Sequence, residues 1–147
     1  MKLIPIKKLL EENAEFERNP LCKETLQMTL DFYKRTGFES PWICYYAKED
    51  GKLVGSAGFK GRPVSGKVEI AYGTFESCRK QGIGTLICKE LVDLSLKTDA
   101  TIKITARTLT KKNYSTRILE KNNFKFYGTV NDPEDGDVWE WEFIGSK

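Results

Sequence analysis

The chemistry-bearing stretch of this sequence is ESCRKQGIGTLICKELVDL, residues 76–94, where basic residues run into two glycines and then into an apolar helical pattern. Arg79, Lys80, Gln81, Gly82, Ile83, Gly84 and Thr85 fall at the junction of an expected strand and an expected helix. Glycines there let the backbone approach an anion closely, and the first N–H groups of a helix have no partner inside it. The helix dipole adds partial positive charge, and Arg79 and Lys80 add full charges. The same window also reads as a plain glycine-rich connection with solvated charges. Two other phosphate motifs fail on spacing. A P-loop needs Gly-Lys-Ser/Thr after four intervening residues, and a dinucleotide fingerprint needs three glycines after the first strand of a parallel unit.

The rest of the composition narrows what is done with the anion. The chain has no histidine, which excludes Ser-His-Asp and Cys-His nucleophilic catalysis. Acid and base must then be carboxylate, Tyr, Lys, Cys or water. Cys22, Cys44, Cys78 and Cys88 form no CxxC pair, so no metal site is expected. A net charge of +3 is too small for bulk attraction to nucleic acid or membrane, and neither is expected as a partner. The first residues, MKLIPIKKLLEEN, carry charges inside their apolar run and do not read as a signal peptide. No apolar stretch approaches the ~20 residues that cross a bilayer. A cytoplasmic protein with reduced, mostly structural cysteines is expected. At 147 residues, a single domain over 1–147 is the simplest organisation.

The elements that must position these groups follow from periodicity. Residues 2–6 read as an edge strand, and 7–18 and 20–36 as helices, the second ending at Gly37. WICYYAKEDGKLVGSAGFKG reads as a hairpin turning at Lys48-Glu49-Asp50-Gly51, followed by a third antiparallel strand over 68–75. A helix over 83–97, a strand over 101–109 and a helix over 113–123 come next, then strands over 125–130 and 138–144 separated by the polar loop NDPEDGD. Crossovers through 83–97 and 113–123 favour parallel neighbours, giving a mixed sheet with helices on both faces.

RKQGIGT resembles the R/Q-x-x-G-x-G/A motif of the GCN5-related N-acetyltransferases, the GNAT superfamily. VEIAYGTFESCRKQGIGTLICKELVD is similar to that family's fourth strand and third helix, and STRILEKNNF to its fourth helix. The order of elements agrees across nearly the whole chain. The pattern of Ser115 followed by Glu120, Lys121 and Phe124 leans towards the branch that includes the ribosomal-protein N-terminal acetyltransferases. The resemblance implies an α/β (α+β) fold, a mixed, mostly antiparallel central sheet flanked by helices on both faces. It also implies transfer of an acetyl group from acetyl-CoA to a primary amine by direct attack in a ternary complex.

By resemblance, the backbone of Gln81, Gly82, Gly84 and Thr85 cradles a pyrophosphate flanked by Arg79 and Lys80, and Gly73 and Thr74 pair with the pantetheine arm. Gly73 is expected in a bulge that splays the strands. Glu69 matches the family's glutamate base, and also reads as a solvent-facing strand residue between Val68 and Ile70. The usual tyrosine acid of the fourth helix is Leu119 here. Ser115 and Tyr114 are the remaining donors, and either equally suits a helix cap. Lys112 stands where the family has a cofactor-contacting asparagine, with Asn113 one residue later. Asn123 replaces a glycine at the helix end, a position where Asn tolerates a left-handed backbone. The acceptor, a small-molecule amine or a protein N-terminus, is expected from the side of the first two helices and the last hairpin. The acidic run 131–137 suits a cationic amine or a solvated turn, and Tyr33, Phe38 and Trp42 suit a pocket or the core. An exposed final strand would allow a homodimer. A non-catalytic acyl-CoA sensor and a purely structural domain are the alternative readings.

Overall fold

Alternating, β-branched segments form seven strands: β1 (Lys2–Pro5), β2 (Cys44–Glu49), β3 (Lys52–Phe59), β4 (Lys67–Thr74), β5 (Lys103–Thr108), β6 (Phe124–Asp132) and β7 (Gly136–Phe143). The computed structural model describes residues 1–145. The strands make one sheet in the order β1-β2-β3-β4-β5-β7-β6. Every pairing is antiparallel except β4 with β5. The β2–β3 turn closes on Asp50 (φ 51°) and Gly51 (φ 78°). Positive φ at both central residues matches the right-handed twist of the flanking strands, which is why Asp-Gly sits there.

Four helices cover the sheet: α1 (Ala14–Glu17), α2 (Lys23–Thr36), α3 (Ile83–Thr98) and α4 (Tyr114–Lys121). Helix α2 buries Leu26, Leu30 and Tyr33, spaced as one helical stripe, and stops at Gly37 (φ 86°), whose N–H donates to the Tyr33 carbonyl at 2.8 Å. The Tyr33 hydroxyl donates to the Ile6 carbonyl (2.7 Å) and accepts from the Cys44 N–H (2.9 Å). It thereby ties the start of the chain to β2. Helix α3 buries Ile87, Cys88, Leu91 and Val92 against β3 and β4 on the opposite face of the sheet.

The sheet departs from the pattern expectation where β7 inserts between β5 and β6. The crossover through α3 does yield parallel neighbours, but the crossover through α4 does not. The tight turn after β6 returns β7 along the β5 edge first, so β6 becomes the outer strand. The final strand is therefore internal, and the edge imagined for pairing two copies belongs to β6. Residues 7–18 do not form one helix. Asn13 captures the Lys7 N–H (2.8 Å) and donates to the Lys7 and Leu9 carbonyls (both 2.9 Å), leaving a 3₁₀ turn and the single turn of α1. Most of the polar run 131–137 is absorbed into β6 and β7, and only residues 133–135 turn. Asn123 adopts the left-handed conformation (φ 64°) expected of it.

Candidate active site

The loop before α3 is built to present N–H groups. Lys80 (φ 65°) and Gly82 (φ 76°) are both left-handed, within three residues of each other. Reversals of handedness like these can turn neighbouring N–H groups towards a common point, the geometry of a nest that suits an anion. Gly82 is the N-cap of α3 and gives no side-chain cap, so the first-turn N–H groups have no side-chain acceptor. Gly84 serves a different need. A β-carbon there would lie 2.6 Å from Ile118 Cδ1 and 3.3 Å from Thr74 Oγ1, so its glycine lets α4 and β4 close on α3.

The second component is a free strand edge. Pairing of β4 with β5 runs from Lys67–Lys103 to Ile70–Ala106 and then stops. Residues 71–74 keep only β3 as a partner, with Ser56 opposite Gly73 and Gly55 opposite Thr74. Gly73 is thus an ordinary paired residue and not a bulge. The strands part because the β4–β5 ladder ends, leaving backbone groups open to an extended ligand.

Loop, free edge and α4 enclose a cavity of ≈ 860 Å³. Gly73, Thr74, Arg79, Lys80, Gly82, Thr85, Tyr114 and Ser115, eight of the anticipated residues, line it together. Gln81, Gly84, Asn113 and Glu69 do not. Gly84 lies beneath, against Ile118. Asn113 is the N-cap of α4. Its side chain accepts from the Thr116 N–H (3.1 Å), and the Thr116 hydroxyl accepts from the Asn113 N–H (2.9 Å). That reciprocal cap frees Ser115 and Tyr114, whose hydroxyls make no hydrogen bond among the described residues. Leu119 is fully buried in the core.

Glu69 stands on the other face of the sheet. Strand alternation places it with Ala71 and Gly73, towards α2. Its carboxylate is 18% exposed, 2.8 Å from Lys60 Nζ and 3.8 Å from Arg107 Nε. Arg107 also binds Asp132 (2.8 Å) and Glu140 (3.3 Å). Asp132 is held down to about 2, first by the N–H of Glu134, then by Arg107 and the N–H of Asp135. This member of the acidic run is therefore a buried structural partner. A cleft of ≈ 230 Å³ exposes the Lys60, Glu69 and Arg107 group.

On the same face a second cavity, ≈ 370 Å³, opens between α2 and the strands. Tyr72 and Gly73 line both this cavity and the larger one. Both cavities therefore border the same free edge of β4. Burial, and then the neighbouring Cys88 thiol, push the Tyr72 phenol far above its usual value, so it stays protonated. Trp42, Tyr33 and Phe38 do not line the second cavity. Trp42 packs edge-on to Phe59 and Tyr33 to Phe38, both at 5.1 Å.

Several positions that build the cavity and its surroundings were not singled out from the sequence. Arg117 and Lys121 line the larger cavity beside Arg79 and Lys80, making four cations and no carboxylate. Their signal was the spacing 114, 117, 118, 121, one face of α4. Asn122 donates to the Thr85 carbonyl (3.2 Å), fastening α4 to the first turn of α3. At Gly55 a β-carbon would collide with the Gly73 carbonyl and sit 2.8 Å from Ile87 Cδ1. Nothing in the local sequence at Gly55 announces that contact, which forms only when three elements meet.

Residues 6–124 match the model of the acetyltransferase (GNAT) family. The chain is 34% identical over 89 residues to the uncharacterized N-acetyltransferase YjdG of Bacillus subtilis (strain 168), covering 60% of this chain. It spans about half of that relative's length, 52%. Its fold is similar to aminoglycoside acetyltransferase AAC(6')-Ib in complex with coenzyme A and kanamycin, with TM-score 0.68 and 23% identity over 96% of this chain and 91% of that one. It is similar also to RimL, a ribosomal L7/L12 alpha-N-protein acetyltransferase in complex with coenzyme A, with TM-score 0.63 and 18% identity over 84% and 71%.

Proposed function

The chain belongs to the acetyltransferase (GNAT) family, and from that premise we propose that it transfers the acetyl group of acetyl-CoA to a primary amine in a ternary complex. The observation that carries this reading is the larger cavity. It combines a backbone nest at a helix N-terminus, four cationic side chains without a carboxylate, and a free strand edge. A pyrophosphate suits the nest and cations, and an extended amide-bearing arm suits the edge. Coenzyme A carries both on one molecule, and coenzyme A is what the similar AAC(6')-Ib and RimL structures hold.

Acetyl-CoA supplies the acyl group as a thioester, whose carbonyl carbon the amine nitrogen attacks as the C–S bond breaks. The residues then have three tasks. Gly73 and Thr74 align the arm so that its end reaches the opening between the cavities, where the amine arrives from the α2 side. Ser115 or Tyr114, uncapped and on the cavity wall, returns a proton to the departing thiolate. The proton lost by the amine goes to solvent. Glu69, already engaged by Lys60 and Arg107, acts by fixing Lys60 beside the acceptor cavity. All of 1–147 serves this activity as one domain.

A non-catalytic acyl-CoA sensor is the second reading, favoured by the burial of Leu119 where the family commonly places its proton donor. Turnover separates the two. Thiol release from acetyl-CoA that depends on an added amine and falls in Ser115→Ala or in Tyr114→Phe supports transfer. Coenzyme A binding with no amine-dependent thiol release supports the sensor.

A further inference from the structure

We propose that the amine acceptor is a small amino carboxylate, and that Arg35 receives its carboxylate. This deepens the acetyl-transfer reading and rests on the ≈ 370 Å³ cavity being the acceptor site. A cavity that size takes a small molecule. Its walls are largely apolar, with Phe32, Met28 and Ala71 among them, and its charged lining consists of Arg35 and Lys60 alone. No carboxylate lines it, so a polycationic amine would meet two positive charges and no partner.

The two cations are not equivalent. Lys60 is matched by Glu69 at 2.8 Å. Arg35 makes no ion pair with any carboxylate among the described residues. Asp31, one turn earlier on α2, lies 3.8 Å from Lys34 and makes no ion pair with Arg35. The Arg35 guanidinium lies 5.6 Å from the centre of the Phe32 ring, which props it at the cavity wall. A planar, weakly hydrated guanidinium with two parallel N–H groups is matched by a carboxylate. The acceptor would thus place its amine at the opening beside Gly73 and its carboxylate on Arg35, with an apolar spacer between.

The test is calorimetric binding of three amines to the full chain saturated with coenzyme A: an ω-amino carboxylate, its primary amide, and spermidine. The amino carboxylate should bind about fivefold more tightly than the amide, the upper reach of an exposed ion pair. Arg35→Gln should bring the two within about twofold, as expected when that pair is removed. Arg35 is solvent-exposed in the last turn of α2, so the variant should keep its circular dichroism and its coenzyme A affinity. Equal or tighter binding of the amide or spermidine, a preference that survives Arg35→Gln, or no binding of the amino carboxylate overturns the proposal. The same mixtures with acetyl-CoA keep the two readings apart. Arg35-dependent binding with no acetylation of any of the three amines keeps the carboxylate site but removes its role as the acceptor site, and acetylated spermidine with no bound amino carboxylate overturns this inference while acetyl transfer stands.

Discussion

Gly84 and Ile118 meet where α3 crosses α4, so closely that a β-carbon on Gly84 would lie 2.6 Å from Ile118 Cδ1. Ile118 is 4% exposed and lines the larger cavity, so a β-carbon on Gly84 would force its terminal methyl out of its packed position and towards that cavity. Gly84→Ala should therefore destabilise the protein by up to about 2 kcal/mol, the overpacking cost of about 1–3 kcal/mol less a helix-propensity gain of about 1 kcal/mol. Urea denaturation measures it, and coenzyme A affinity should fall with it. Ile118→Val removes the clashing methyl, so the double variant should recover most of the loss. A stable Gly84→Ala with unchanged affinity would contradict the packing account.

Asp132 predicts a pH effect. Its folded carboxyl is held at about 2, below the ordinary carboxylate value of about 3.9. Its stabilisation is therefore complete above the unfolded value and is lost as pH falls through the folded one. Asp132→Asn keeps an oxygen for the Glu134 N–H but drops the charge facing Arg107. The variant should melt lower than wild type at pH 7, with the gap closing between about pH 4 and pH 2. A gap that is constant with pH would show that the charge is not what matters.

The four thiols should resist labelling in the folded state. Burial pushes Cys44 up to about 11 and Cys88 up to about 12, and Cys22 also upward. At pH 8 the Cys44 thiolate is then roughly one part in a thousand, too little for rapid reaction. Titration with a thiol reagent should be slow natively and reach four per chain in denaturant. A rapid native thiol would mark a reactive site that the burial argues against.

Glu69→Gln separates a base from a residue that positions Lys60. A direct general base contributes typically 10²–10⁴-fold. Because the Glu69 carboxylate is already bound to Lys60 and Arg107, the substitution should lower kcat/KM less than about tenfold, with an unchanged pH profile of the rate. A loss of a hundredfold or more, with the acidic limb of the profile removed, would make Glu69 the base.

Much of this was legible in the chain because it is local. Apolar spacing located α2, α3 and α4, Asp50-Gly51 fixed a turn, and the two glycines after Arg79 marked a helix mouth. What could not be read depends on elements far apart in sequence. The insertion of β7 beside β5, the pairing of Asp132 with Arg107, and the closeness of Gly55 to Gly73 arise only once the sheet is assembled. Asn13 overrode a helical pattern by capturing backbone groups of Lys7 and Leu9. Asn113, expected beside the cofactor, is the cap of α4. Its oxygen is taken by the Thr116 N–H, and the cavity gains Ser115 and Tyr114 because the cap is already made.

Coenzyme A binding to wild type and to Gly82→Glu tests the central claim most directly. Gly82 has open space around it but a left-handed backbone, so a glutamate there costs about 1–2 kcal/mol of strain, read as a lower Tm without ligand, and brings a negative charge to the helix mouth. At a hundredfold excess over Kd, coenzyme A should stabilise wild type by ~2.7 kcal/mol, a rise in Tm of roughly 5–10 °C. Gly82→Glu should remain folded and show no rise. An unshifted wild type, or a Gly82→Glu variant that shifts equally, would contradict the claim that this cavity holds the cosubstrate.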